Sequence, residues 1–283
     1  MKLSVGFLGP LGTYTHQAAH EYFQDSAIYN EKRTIAEALK SLEALDYAVV
    51  PRENSIFGSV IETFDGLKVL KEGFIQGEVI LKIQHCLVVK KGAKFSDIDC
   101  VISHEQALGQ CRRFLVEKLP GATTSTTAST AAAAETVSKS QTLNIAAICS
   151  GICVTMFEDL EILANGIQDQ DSNYTRFFII GKQSEGKPPF KTLRPTHALI
   201  RLIPTSSAHK ETSFDLTELL KTIDLSVIRL DRRPAPVSHP FLDTYFLEVV
   251  LSTQNPSEWP EQVSQSILRL RDKGHLAESI GLW

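Results

Sequence analysis

Residues 3–23, LSVGFLGPLGTYTHQAAHEYF, hold the pattern on which the fold turns. Leu3–Leu8 is apolar enough for a buried strand, Gly9–Thr13 interrupts it with two glycines and a proline, and Thr15–Phe23 resumes with helical spacing. The same sequence of events, a short apolar strand running through a polar, uncharged turn into a helix, recurs down the first part of the chain. Val49-Val50 leads into Pro51-Arg52-Glu53-Asn54-Ser55, Val101-Ile102 into Ser103-His104, and the Thr/Ser tract after Ala122 into Ser129-Thr130. Helices are expected over Ile35–Leu45, Val60–Lys71, Gln106–Glu117, Ser129–Lys139 and from Gly151 toward Asn165. Strands are expected at Tyr47–Val50 (ended by Pro51), twice within Ile75–Val89, at Cys100–Ile102, Ile145–Ile148 and Phe177–Ile180. Alternation of this kind implies an α/β layer fold with a mainly parallel sheet.

Beyond Gln183 the character changes. QSEGKPPFKTLRP, residues 183–195, carries one glycine and three prolines and reads as a linker. After it come a strand (His197–Ile203), a helix (Phe214–Ile223), two strands (Leu225–Leu230, Thr244–Leu251), a helix (Pro260–Leu270) and an extended end (His275–Leu282). That βαββαβ order is a ferredoxin-like arrangement.

The 283 residues suffice for about two domains, and their 43% hydrophobic and 22% charged residues are ordinary for a globular protein. From Ser184 onward 12 basic residues meet 12 acidic ones, so the whole net charge of −4 falls on residues 1–183. Neither part is basic, which argues against nucleic-acid or anionic-membrane partners. The 5 cysteines (Cys86, Cys100, Cys111, Cys149, Cys153) form no CxxC, and Cys149 and Cys153 have no histidine nearby to complete a metal set. Reduced, mostly buried thiols in a cytoplasmic protein are the expectation; the N-terminal apolar stretch is too short for a signal peptide, and Ser140–Phe157 is too polar for a membrane span.

Several chemistries lack their apparatus. Gly6, Gly9 and Gly12 are spaced GxxGxxG rather than GxGxxG, and there is no Walker A lysine, HExxH or GxSxG. Asp169, Asp171 and Asn173 alternate as calcium ligands do, but the glycine and the downstream glutamate of a calcium loop are missing. What remains are the turns. At any one of them helix capping is a sufficient explanation; four together point to a shared site for an anion, facing backbone N–H groups and Ser, Thr or Asn donors. Thr175 and Arg176, adjacent before a buried run, point to opposite faces of a regular strand.

GPLGTYTHQAA (Gly9–Ala19), VPRENSIFGSVIETFDGL (Val50–Leu67), SHEQALGQC (Ser103–Cys111), STAAAAE (Ser129–Glu135) and NYTRFFII (Asn173–Ile180) follow the order and rough spacing of prephenate dehydratases, and the last 90 or so residues resemble that family's ACT regulatory domain. The resemblance implies a two-lobed, periplasmic-binding-protein-like catalytic region over residues 1–183 with the cleft between its lobes. A linker at 184–195 and an ACT domain at 196–283 would follow. It implies decarboxylating dehydration of prephenate to phenylpyruvate in phenylalanine biosynthesis, with no metal or organic cofactor. By the same resemblance Thr175 donates a hydrogen bond to the departing hydroxyl, Arg176 meets a carboxylate, and Asn54 and Gln110 bond the substrate. Thr13, Ser103, Ser129, Thr130, Asn173 and Phe177 line the site, and Glu53 holds a proton or sets local charge. Arg52, Glu105 and His16 depart from the family pattern without touching those residues.

The implied effector is L-phenylalanine. Its site in relatives is formed by segments that here read His197-Ala198-Leu199, Asp224-Leu225 (after Ile223) and Asp231-Arg232-Arg233-Pro234, altered enough to expect feedback of changed strength. A homodimer or dimer of dimers is expected. Arogenate dehydratase, and a non-catalytic two-lobed sensor, are the alternative readings.

Overall fold

In the computed structural model, residues 2–182, 195–204, 215–236, 242–251 and 256–283 are described. The expected linker lies outside them except for Pro195. In chain order the first elements are β1 (Leu3–Leu8), α1 (Tyr14–Phe23), β2 (Ala27–Lys32), α2 (Ile35–Lys40), β3 (Tyr47–Asn54), β4 (Gly58–Ser59), α3 (Ile61–Val69) and β5 (Phe74–Lys82). Then come β6 (Cys86–Lys90), β7 (Cys100–Ser103), α4 (Glu105–Gln110), α5 (Arg112–Lys118), β8 (Thr123–Thr126), α6 (Thr130–Lys139), β9 (Ile145–Cys149), α7 (Cys153–Met156), β10 (Leu160–Asn165) and β11 (Tyr174–Gly181). The chain ends with β12 (His197–Ile203), α8 (Leu216–Ile223), β13 (Ser226–Pro234), β14 (Asp243–Val250), α9 (Trp259–Asp272) and β15 (Leu276–Leu282). These fall into two compact units: Met1–Ala38, Val49–Val60 and Val79–Phe177 in one, Leu39–Ala48, Ile61–Glu78 and Phe178–Trp283 in the other.

Within the first unit, β1 pairs in parallel with β2, from Leu3↔Ala27 to Leu8↔Lys32. A separate five-stranded sheet runs β10-β6-β9-β7-β8. It is mixed: β6 is antiparallel to both β9 and β10, while β7 is parallel to β8 and β9. Its inner strands β6, β7 and β9 are mostly apolar because both faces are covered, whereas the edge strand β8 is polar and exposed along its length. Leu87 and Val89 pack with Val101, Ala107 and Cys111 in one core cluster, whereas Cys86 and Val88 pack with Ala133, Ala134, Val137 and Cys153 in another. Period-two alternation thus divides one strand between two cores. Two chain crossings join this sheet to the β1 side of the unit, and they are bonded to each other: Ile83 N–H donates to Asn173 O at 2.8 Å and Ile167 N–H to His85 O at 3.0 Å.

Two local expectations fail here. Residues 151–165 do not form one helix: α7 is a single turn and Leu160–Asn165 is strand β10, because the free edge of β6 offers it a ladder that local apolar spacing cannot announce. Likewise β3 does not stop at Pro51 but continues to Asn54, its end held by Glu53↔Ser59 and Asn54↔Gly58 pairing with β4. The missing proline N–H removes one donor, not the strand.

The second unit contains the expected βαββαβ order, as an antiparallel sheet β13-β14-β12-β15 with α8 and α9 on one face. Leu247, Val249, Ala198, Ile200 and Leu202 meet Leu219, Ile223, Trp259, Val263 and Leu270 there. β5 joins the sheet beside β15, in parallel, at Gly281↔Ile75. A Cβ on Gly281 would lie 2.5 Å from that of Ile75, so the junction requires glycine.

On the other sheet face, compact units and chain order part company. Helix α3, from the first part of the chain, lies against it: Phe64 meets Phe246 edge-on at 5.3 Å, Arg201 donates to Leu67 O, and Arg233 binds Asp65 through two bonds of 2.9 Å. Residues 61–78 therefore belong to the same compact unit as the C-terminal sheet. The guanidinium holds the Asp65 carboxyl below its ordinary range. Both side chains are partly exposed, so a double-mutant cycle over Asp65→Asn and Arg233→Ala, read by denaturant unfolding, is expected to give a coupling of about 0.5–1 kcal/mol. A coupling of zero would show that α3 is held by its apolar contacts alone.

Candidate active site

The centre of the site is the meeting of the ends of β3 and β11. Asn54 Nδ2 donates to Asn173 Oδ1 at 2.7 Å and Thr175 Oγ1 at 2.9 Å, with Tyr174 O at 3.2 Å. Its Oδ1 accepts from the N–H groups of Ile56 and Phe57 at 2.9 and 3.1 Å, shaping the turn into β4. With its oxygen engaged by backbone donors, the amide has one orientation. Thr175 Oγ1 is consequently an acceptor toward Asn54, and among the described residues no acceptor takes its proton. Asn173 and Thr175 are buried. Alternation along β11 puts Tyr174 and Arg176 on the opposite face. There Arg176 Nε meets Glu53 at 3.3 Å, just as Asn54 meets Thr175. Arg176 is therefore not adjacent to the Thr175 hydroxyl, and its charge is balanced by Glu53.

A second group stands one crossing away. Gln110, at the end of α4, has Oε1 at 2.6 Å from His85 Nε2, and the other ring nitrogen, Nδ1, is 2.6 Å from Tyr14 Oη. His85 is also fixed by its backbone, whose N–H donates to Gln168 Oε1 at 2.9 Å. Burial lowers the His85 pKa and raises that of Tyr14, so both are neutral near pH 7. Neither residue has a role assigned from sequence: Tyr14 falls within the GPLGTYTHQAA stretch, as the first residue of α1, and His85 stands outside every quoted motif, just before an apolar strand.

The remaining expected residues divide into framework and surface. Thr13 caps α1, accepting from His16 N–H and donating to Leu8 O at 3.1 Å. Ser129 caps α6 at 3.0 Å, and Thr130 follows as the first residue of the helix. Ser103 is fully buried and donates to Ile148 O at 2.5 Å, so its hydroxyl locks strands together rather than facing a ligand. Phe177 is a core residue at 1% exposure. The start of α1 and the start of α6 do converge: Gly12, at φ +89°, lies where a Cβ would be 3.0 Å from Cys153 Sγ and 3.3 Å from the Ala131 Cβ. Cys153 Sγ donates to Gly12 O, and Ser150 Oγ to Gln17 Oε1 at 2.6 Å. Burial pushes up the thiols of Cys86 and Cys111, and a hydrogen bond with Cys153 followed by burial pushes up that of Cys149, so they remain protonated. Among the described residues, no cluster of three or more His, Cys, Asp or Glu is placed to hold a metal ion, and no helix is long and apolar enough to cross a membrane.

The departures from the family pattern have places too. Arg52 is fully buried, Glu105 opens α4 where its charge suits the helix N-terminus, and His16 Nδ1 accepts the Gly12 N–H at 3.1 Å.

The profile described as prephenate dehydratase matches residues 5–185 of this chain. The chain belongs to the prephenate dehydratase family. Over 182 residues it is 37% identical to the prephenate dehydratase of Bacillus subtilis, covering 63% of this chain and 64% of that protein. Over 186 residues it is 38% identical to the bifunctional chorismate mutase/prephenate dehydratase of Neisseria gonorrhoeae, covering 65% of this chain and 51% of that one. The chain thus spans roughly half to two-thirds of the curated relatives it matches. A solved prephenate dehydratase from Arthrobacter aurescens, in complex with L-Phe, superposes with a TM-score of 0.77 at 26% identity, covering 96% of this chain and 88% of that one.

The residues expected to form an effector site lie in the second unit. Ala198 and Leu199 are in β12, buried, and His197 at its start stacks on Trp283 with centroids 5.8 Å apart. Asp224 ends α8 in the left-handed region at φ +54°, a conformation that asparagine and aspartate tolerate better than other side chains; Leu225 packs on the core. Asp231 pairs with Arg229 at 2.6 Å, Arg232 with Asp243 at 3.0 Å, Arg233 with Asp65, and Pro234 closes β13.

His16 gives a pH prediction. Burial, then the nearby His20, lower its pKa to about 4 from an ordinary 6.5. A depressed histidine contributes stability in full above the unfolded value, which is lost as pH falls from about 6.5 toward 4, where only the unfolded chain takes up the proton. Thermal midpoints should fall across that window, and His16→Asn, which keeps an acceptor toward Gly12, should flatten the fall. An identical slope in the variant would exclude His16 as its source.

Proposed function

We propose that the protein converts prephenate to phenylpyruvate, carbon dioxide and water, and that L-phenylalanine regulates it through an ACT domain spanning residues 196–283. Family membership supports the reaction, and the observation that carries it is the Thr175 hydroxyl, held as an acceptor by Asn54 with its proton left for a substrate oxygen. In the reaction the ring–carboxylate C–C bond breaks and its electron pair enters the ring. The double bonds shift, and the C–O bond to the 4-hydroxyl breaks; one proton taken up turns the departing hydroxide into water. Aromatisation drives the step. The protein's part is to orient the ring and stabilise the leaving oxygen with a directed donor, since a threonine hydroxyl is too weak an acid to supply a free proton.

Prephenate is a dianion, and the half of the chain proposed to bind it carries all the net negative charge. The donors offered are mostly neutral: Gln110, the Thr175 hydroxyl held by Asn54, and the starts of α1 and α6 brought together at Gly12. Arg176 adds positive charge tempered by Glu53. Residues 1–183 are proposed as the catalytic region, with α3 reaching the C-terminal sheet, and the site is of a kind that a cytoplasmic enzyme of amino-acid biosynthesis would need. Regulation rests on the L-Phe complex of the Arthrobacter relative. His197, where relatives carry glycine, fills space against Trp283 and is the reason to expect altered affinity. An ACT-mediated homodimer or dimer of dimers is part of the same proposal.

Purified protein incubated with prephenate should form phenylpyruvate, and Thr175→Ala should lower kcat by roughly 10²–10³-fold while Thr175→Ser retains most of it. Unchanged turnover in the alanine variant removes the role given to Thr175; no turnover in the parent favours a binding protein. Arogenate in the same assay distinguishes the two dehydratases. Equilibrium dialysis should detect L-phenylalanine binding, and none up to millimolar concentration refutes feedback.

A further inference from the structure

We infer that His85 is a positioning residue that, through its Nε2–H and with Tyr14 as its anchor, turns the amide of Gln110 so that its N–H groups face the substrate. The inference rests on the dehydratase reading and goes beyond it to a residue that no motif includes. Gln110 is at the last turn of a six-residue helix, and its backbone oxygen is held by the Asp169 N–H at 2.6 Å. The backbone is thereby fixed, but the amide can still present either its oxygen or its nitrogen to a ligand, and these are opposite in sign toward a carboxylate. The 2.6 Å contact from Gln110 Oε1 to His85 Nε2 removes the choice, because an oxygen at that distance requires a proton on Nε2.

A neutral imidazole protonated on Nε2 has a bare lone pair on Nδ1. Tyr14 meets that lone pair: its Oη lies 2.6 Å from Nδ1 and 3.1 Å from Gln84 O, and its single proton goes to the nearer. The chain of donors therefore runs Tyr14 O–H to His85 Nδ1, then Nε2–H to Gln110 Oε1, and ends in amide N–H groups suited to an anion. The reverse chain, with Tyr14 donating to Gln84 and Nδ1–H donating to Tyr14, would turn an oxygen toward a dianion. His85 is 3% exposed and Tyr14 is partly buried, so water does not compete for these bonds on equal terms. The backbone around His85 is bonded on both sides, at Ile83 to Asn173 and at His85 to Ile167 and Gln168. The same short segment therefore positions Gln110 and braces the Asn173–Asn54–Thr175 group.

Ring ¹⁵N shifts of His85 in the ligand-free protein should show a protonated Nε2 and an unprotonated Nδ1; the opposite tautomer overturns the inference whatever the enzyme's activity. In steady-state assays on prephenate, His85→Gln, which keeps a donor near the Nε2 position, should hold kcat within about 5-fold of the parent. His85→Asn places its amide near the Nδ1 position and reaches only Tyr14, so kcat should fall roughly 10–100-fold with KM changed less. Equal loss in both variants, or no loss in either, overturns the inference. Matched thermal midpoints for the two variants separate positioning from folding, and if His85→Asn does not fold the tautomer and His85→Gln still decide. A parent that makes no phenylpyruvate refutes the functional reading alone, because the tautomer is measured without turnover.

Discussion

The carboxamide of Asn54 is engaged at both ends: its oxygen takes the N–H groups of Ile56 and Phe57, and its nitrogen donates to Asn173 and Thr175. Those four bonds shape the turn after β3, join it to the start of β11, and leave the Thr175 hydroxyl with one proton and one direction in which to give it. An aspartate of the same shape could accept the two backbone bonds but would also draw the Thr175 proton to itself, leaving none for a substrate oxygen. The requirement for an amide at this position thus follows from the counting of donors. The proton left for the leaving oxygen depends on it.

Charge is handled with the same economy of ionised groups. Arg176 lies against Glu53, the histidine and tyrosine beside Gln110 are kept neutral by burial, and the nearby thiols stay protonated. A site made of oriented neutral dipoles costs little desolvation when it closes on an anion, whereas free carboxylates or lone cations would have to be stripped of water first. This explains how the acidic portion of the chain can be proposed to take a dianion: local dipoles act at contact distance, where net charge is screened.

The second unit shows that chain order and packing order differ. Helix α3 follows the Asn54 turn directly in sequence, yet its Phe64, Asp65 and Leu67 are held by Phe246, Arg233 and Arg201 of the C-terminal sheet. Arg233 belongs to the segment proposed to form the effector site.

Strands and helices with complete local signals were legible in residues 3–23, where the glycine-proline turn and the Thr13 cap are both visible, and in the βαββαβ order of the C-terminal part. The Asn54 and Thr175 motifs were legible as well, because a turn residue and a donor hydroxyl declare their chemistry by type. Strand β10 was not, since an edge ladder with β6 chose between two conformations that residues 151–165 permit. Nor were the Glu53–Arg176 pairing, the loss of Ser103 to Ile148 O, the attachment of α3, or the Tyr14–His85–Gln110 chain. Each of these joins groups far apart in sequence, and hydrogen bonds depend on distance and angle that residue order does not contain. Sequence alone determined which donors and turns this protein possesses. Tertiary structure decided which of them face one another, because only packing brings two polar atoms within 3 Å and closes the alternatives.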